Sequence, residues 1–162
     1  MTPTYDEAWG KYISKLNILQ IPLVCWEFYN APHSDMASIE SISKNWHEKK
    51  DAKKCLINEK HEIVITNSLF KIVFASSTIF NMNGYRSDEI IGKSPGFFQG
   101  KNTCNKTRAR IKAALQNKLP FKETILNYKK NGEEYWCCIE AYPKFDINGN
   151  FLNYIAFEKL VA

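Results

Sequence analysis

Histidine is scarce in this sequence: only His33, His47 and His61 occur, all within the first 61 positions. So few imidazoles, so placed, supply neither a His-Glu metal motif nor a convincing partner for a nucleophile, and no glycine-rich phosphate loop is present. Enzyme activity is therefore not expected. The five cysteines are odd in number and, apart from adjacent Cys137 and Cys138, lie far apart without a Cys-x-x-Cys pair. That spacing argues against a disulfide framework or a zinc site and points to reduced, buried thiols. Long apolar runs are missing as well. The longest, residues 18–28, is broken by Gln20, Pro22 and Glu27 and falls short of the roughly 20 residues that a membrane span needs. Asp6 and Glu7 precede any apolar stretch, unlike a secretory signal, so the expected location is the cytoplasm without membrane association.

What is present is the composition of a folded domain: 162 residues, 44% hydrophobic and 24% charged, with few Gly or Pro. The net charge of +5 comes from the second part of the chain, because residues 1–60 carry eight basic and eight acidic residues. Lys101, Lys106, Arg108, Arg110 and Lys112 fall within twelve residues that contain no acid. This basic segment is expected to be the solvated face of a helix, the alternative being a phosphate site near Lys112. No aromatic-interleaved groove or recognition helix accompanies it, so nucleic acid is not an expected partner.

Trp9, Tyr12, Ile13 and Leu16 recur at helical intervals and predict an amphipathic helix over 3–19. A second, longer helix is expected from Ser34 as N-cap, with Met36, Ile39, Ile42, Trp46, Cys55 and Leu56 on one stripe and the charged run 47–54 on its solvated face. From His61 onward short β-branched runs at 62–66 and 71–74 predict a hairpin. Short helical pieces over 76–99 and a helix over 103–117, stopped by Pro120, come next. Strands at 121–130, 133–145 and 150–160 close the chain, with Asn131-Gly132 and Asn148-Gly149 supplying hairpin turns. This order predicts an α+β domain with one five-stranded antiparallel sheet. Both faces of its strands are rich in large apolar groups: Ile125 lies opposite Leu126 and Tyr128 on one strand, and Tyr135, Cys137, Ile139 and Ala141 oppose Trp136, Cys138 and Tyr142 on the next. Something outside the core must cover the second face, and residues 1–60 are the available material. The expected organisation is thus a helical cap over 1–60 that also serves dimerisation, and a core over 61–162. The stripe from Met36 to Trp46 is expected to be intramolecular cover in preference to a dimer seam.

The segment 62–159 resembles the PAS superfamily, closest to its flavin-binding light-oxygen-voltage (LOV) branch, through FASSTIFNMNGYRSDEIIGKSPGFFQG, NYKKNGEEYW and NYIAFE. The resemblance implies a PAS fold whose cleft holds flavin mononucleotide, with a cysteine that bonds to the ring under light. Pro95 stands at that cysteine's position, and residues 92–100 contain no cysteine, so the resemblance implies loss of the usual photocycle. Neither Cys104 nor Cys137 is expected to substitute. Gln99 and Asn127 match chromophore contacts of the branch, Thr66 is a plausible further contact, and Lys112 stands where the branch has a phosphate-binding Arg. Ser94 and Cys137 replace ring-contacting Asn residues, Gly96 replaces the second phosphate-binding Arg, and Glu158 replaces the Gln whose rotation passes the signal. Because Lys does not grip phosphate as the Arg fork does, flavin mononucleotide affinity is expected to be weakened. Heme is not expected, since no histidine lies within the core strands.

Glu158 is expected to point inward, where a carboxylate must be paired, protonated or bonded to a ligand; the alternative register leaves it near the sheet edge and solvent. The function expected from these residues is a non-catalytic PAS sensory or signalling module, LOV-like but without adduct photochemistry. It would bind a small ligand or mediate protein association, with itself as a homodimer or with a signalling partner. The alternatives are a flavin redox or light sensor without the cysteinyl adduct, and a purely structural dimerisation module.

Overall fold

The computed structural model describes residues 34–48 and 61–161. The helix expected over 3–19, and Cys55 and Leu56 of the second stripe, lie outside the described residues.

Five strands form a single antiparallel sheet: β1 Glu62–Thr66, β2 Ile72–Ala75, β3 Phe121–Tyr128, β4 Glu134–Phe145 and β5 Phe151–Val161. Their spatial order is β2-β1-β5-β4-β3, so the last strand runs down the middle, between the two hairpins. The turns behave as their residues require. Gly132 and Gly149 take the left-handed backbone, at φ 86° and 80°, in the two C-terminal hairpins. Between β1 and β2 the Asn67 side chain accepts from the backbone N–H groups of Leu69 and Lys71 at 2.9 and 3.0 Å, and Phe70 adopts φ 56°. A turn stabilised this way by asparagine tolerates one left-handed residue even when it is aromatic.

Between the hairpins lie α2 Ile79–Asn83, α3 Ser87–Ile90, a 3-10 turn at Pro95–Phe98, and α4 Asn105–Gln116. The helix α4 starts two residues later than expected because Thr103 is used otherwise. Its hydroxyl accepts from the Gly100 N–H at 2.9 Å and donates to the Leu126 carbonyl at 2.7 Å, tying the loop to β3. The helix closes before Pro120, with Lys118 at φ 53° and its N–H on the Leu115 carbonyl. The inner face of the sheet packs Val64, Ile72, Ile125, Tyr135 and Cys137 against Ile79, Met82, Ile90 and Phe98.

The outer face carries a second core: Ile63, Ile65, Phe74, Ile155 and Phe157 buried beneath Ile39 and Trp46, with Met36 and Ile42 at its margin. The helix that supplies them, α1, spans 34–42 and continues as a 3-10 turn at Ser43–Asn45. The expected helix does not run unbroken past Asn45; residues 49–54 of the charged run lie outside the described residues. Trp46 leaves the helix with ψ 130°, because the chain there is drawn to the sheet. The His47 N–H donates to the Phe145 carbonyl at 2.9 Å, and the Lys144 ammonium stands 5.3 Å from the Trp46 ring centroid. The stripe from Met36 to Trp46 is therefore intramolecular cover. Among the described residues no helix is long and apolar enough to cross a membrane.

Candidate functional site

On the inner face, register fixes which side chains converge. Glu158 stands opposite Glu62 on one side and Ile139 on the other; Ala156 faces Val64 and Ala141; Tyr154 faces Thr66 and Pro143. Small residues at Ala141 and Ala156 leave space above the middle of the sheet. Helix α4 and the 3-10 turn Pro95–Phe98 roof it, enclosing a cleft of about 300 Å³, at the lower end of the range for small-molecule sites. Its walls are chiefly apolar, with Val64, Phe70, Phe98, Ile111, Leu115 and Phe121 among them.

Seven of the eight residues singled out from the sequence line this cleft: Thr66, Ser94, Pro95, Gln99, Lys112, Asn127 and Glu158. The eighth, Cys137, does not; it is fully buried in the core behind it. Pro95 opens the 3-10 turn, and no cysteine or methionine belongs to the lining among the described residues. Cys104 sits on the exterior as the residue preceding α4. The described histidines His47 and His61 do not line the cleft either.

Glu158 is 4% exposed, which removes the alternative register at the solvent edge. Burial pushes its carboxyl up to about 7, and the Glu62 carboxyl across the strand pair adds to the rise. The Cys137 thiol donates to its Oε2 at 3.6 Å and partly offsets this. Burial and the charge of Glu158 hold that thiol well above the usual thiol range, so it stays neutral and unreactive.

Glu62 is itself held above the usual carboxylate range, first by burial. Its Oε2 accepts from the Thr78 hydroxyl at 2.8 Å and from the Ser76 hydroxyl. Next in line, the Ser77 N–H and hydroxyl donate to Asp35 Oδ2 of α1 at 2.8 and 2.9 Å. Burial raises the Asp35 carboxyl too. A file of three carboxyls and three hydroxyl residues thus runs from the cleft, past the sheet edge, to the helix on the opposite face. The sequence hinted at Glu158 alone; Glu62 and Asp35 become neighbours only through the β1–β5 register and the docking of α1.

The basic helix is not one solvated face. Arg110 forks onto Glu123 of β3, its Nε and a terminal nitrogen at 2.6 and 2.7 Å from the two carboxylate oxygens. Arg108 and Lys112, four residues apart, both turn to the cleft, as that helical spacing allows. Arg108 donates from a terminal nitrogen to the Gly100 carbonyl at 2.7 Å. Its Nε, the Thr66 hydroxyl oxygen and Asn127 Oδ1 are buried without hydrogen-bond partners. Charge density had concealed Arg108, because a run of cations reads alike whichever way each one points.

The family model of the PAS domain matches residues 60–159. Phototropin-1A of Oryza sativa subsp. japonica is 36% identical over 91 residues, which is 56% of this chain and 10% of that protein. The blue-light-activated histidine kinase of Brucella anthropi is 38% identical over 85 residues, 52% of this chain and 17% of that protein. The chain therefore spans only a small part of the length of these curated relatives. Among solved structures, the dark structure of the blue-light photoreceptor Aureochrome1 LOV superposes with a TM-score of 0.64 at 26% identity, covering 71% of this chain and 86% of that one.

Proposed function

This chain belongs to the PAS domain family, and we propose that it acts as a non-catalytic sensory module of LOV type whose cleft takes a small organic molecule without a cysteinyl adduct. The observation that carries the reading is the cleft itself: about 300 Å³ and chiefly apolar, lined by Thr66, Asn127 and Arg108, each of which has a buried polar atom without a hydrogen-bond partner, and with no sulfur in its lining among the described residues. Buried polar groups without partners are costly, and a ligand that bonds to them removes the cost. Pro95 has no thiol to offer, and Cys137, the buried thiol among the described residues, is neutral and occupied with Glu158.

The second reading, a flavin sensor that works without the adduct, is favoured by Thr66, Gln99 and Asn127 standing together in the cleft with Arg108 and Lys112 at α4. These residues fit a flavin in outline: the first three would bond to the ring edge, and the two cations would hold a phosphate. Bound flavin would supply blue-light absorption and redox chemistry. Glu158 would hold or release a proton beside it, and the apolar walls would exclude water.

Signal output follows the file of acids. Glu158, Glu62 and Asp35 connect the cleft to the start of α1 through Ser76, Ser77 and Thr78. A ligand shifts α1 only to the extent that its affinity differs between the docked and released arrangements. Self-association, also proposed for such a module, must use a surface other than the stripe from Ile39 to Trp46, which the sheet already buries.

The test is reconstitution with flavin mononucleotide under blue illumination. The wild-type protein should show no reversible thioether-type spectral change, whereas Pro95→Cys, once flavin-loaded, should gain one. A reversible change in the wild type would overturn the reading.

A further inference from the structure

We infer that a groove on the outer face of the sheet, between the end of α1 and the β4–β5 turn, docks an extended acidic peptide segment of a partner protein. The inference stands apart from the ligand cleft, which lies on the opposite face, and it gives the module a place where its output is received.

The groove has a volume of about 450 Å³ and is lined by Lys44, Trp46 and His47 on one side and by Asp146, Ile147 and Leu152 on the other. Both walls are fixed. The His47 N–H is bonded to the Phe145 carbonyl, and Trp46 is buried against the outer-face core that holds Ile155 and Phe157. Across the groove, Asp146 closes the turn: its Oδ1 accepts from the backbone N–H groups of Asn148 and Asn150 at 2.9 and 2.8 Å, and its Oδ2 accepts from the Asn150 side-chain amide at 2.9 Å. These donors hold the Asp146 carboxyl below the usual carboxylate range. A site whose walls are already ordered spares a partner much of the entropic cost of binding.

Three features of the groove serve no purpose in folding. The indole Nε1 of Trp46 is buried without a hydrogen-bond partner, although an indole N–H in such a position usually finds one. Ile147 is 82% exposed at the turn, so the apolar surface begun by Trp46 and Leu152 continues into solvent. Lys44 is exposed and has no ion-pair partner among the described residues, while Asp146, the acid in the lining, is committed to its own turn.

An acceptor satisfies the indole, an apolar side chain covers Ile147 and Leu152, and a carboxylate meets Lys44. An extended acidic peptide carries all three, because its backbone supplies carbonyls while successive side chains point to opposite sides. Lys44 and Asn45 at the rim are exposed, and such side chains change rotamer fast enough to let a carbonyl reach the indole. A small organic acid would supply the acceptor and the charge but leave Ile147 bare. One wall of the groove is the chain that leaves α1, so the groove is complete only while α1 is docked on the sheet. The peptide therefore favours the docked arrangement and is lost when α1 is released.

The test titrates fluorescein-labelled, capped hexapeptides of leucine alternating with glutamate, glutamine or lysine against the full chain. The Trp46 indole N–H is followed by NMR, its peak assigned by its loss in Trp46→Phe. The glutamate peptide is expected to bind about fivefold tighter than the lysine peptide and to move the indole proton downfield. Lys44→Glu should invert that preference. Trp46→Phe, which keeps an aromatic ring without the N–H, should weaken the glutamate peptide about fivefold. Ile147→Asp, at a position too exposed to matter for folding, should abolish binding, and it serves if the phenylalanine variant does not fold. Failure of all three peptides to bind at millimolar concentration, a lysine peptide that binds as well as the glutamate peptide, or binding that survives Ile147→Asp would overturn the inference. Glutarate that moves the indole proton as far as the peptide does would assign the groove to small acids and overturn it as well.

Discussion

Glu62 and Glu158 stand directly opposite each other on β1 and β5, a half-buried carboxyl beside a buried one. Both are held above the ordinary carboxylate range, Glu158 as far as about 7. The Glu62 charge adds to the effect of burial on Glu158, so both together hold the Glu158 proton to higher pH.

This makes stability depend on pH with a defined sign. A carboxyl whose folded-state value is raised binds more protons folded than unfolded, so its folded form is favoured at low pH and loses ground as pH rises. For Glu158 the window runs from its ordinary value of 4.5 up to about 7. The cost of ionising it there is on the order of 3 kcal/mol. Glu158→Gln should match the wild type near the bottom of that window and exceed it by up to that amount above the top. Urea midpoints measured across the window test this; parallel pH profiles for the two proteins would refute it. Glu62 and Asp35 shift in the same direction, so some slope should remain in the variant.

Gly100→Ala should destabilise the protein by on the order of 2 kcal/mol, since the added methyl would collide with the Tyr128 ring. Pairing it with Tyr128→Leu should recover part of the loss. Thermal unfolding of the single and double variants provides the measurement, and additive losses would place the strain elsewhere.

How far the sequence was legible is clearest at these positions. The five antiparallel strands and their hairpin turns follow from alternation and turn chemistry, because each strand presents every second side chain to the same face; that Thr66, Pro95, Gln99, Asn127 and Glu158 meet is implied only by the resemblance to the LOV branch. Cys137 obeyed the same alternation, yet it points into the packed core rather than the cleft: position along the strand decides which inward residue meets the ligand space, and alternation carries no such coordinate. Arg108 and Arg110 lie two residues apart on one helical turn yet differ in role, one lining the cleft and one on Glu123. The second helix was overextended because Trp46 keeps the helical interval while leaving the helix to pack on the sheet.

The outer-face cover provides a further prediction. Ile39 and Trp46 are 3% and 5% exposed. Trp46→Ala should cost about 3 kcal/mol by loss of buried area and the cavity left behind. It should also bare Ile155 and Phe157 and promote association, visible as an increase in mass by light scattering. A variant as stable as the wild type would mean that α1 docks weakly.

The most direct test of the account is a native mass spectrum of the purified protein beside its denatured spectrum, for the wild type and Ala156→Trp, in the dark and after blue light. A small organic molecule should be retained by the native wild type, released on denaturation and absent from the tryptophan variant, with no covalent gain in mass after illumination. A bare polypeptide mass for both proteins under native conditions, or a covalently attached ligand after light, would contradict it.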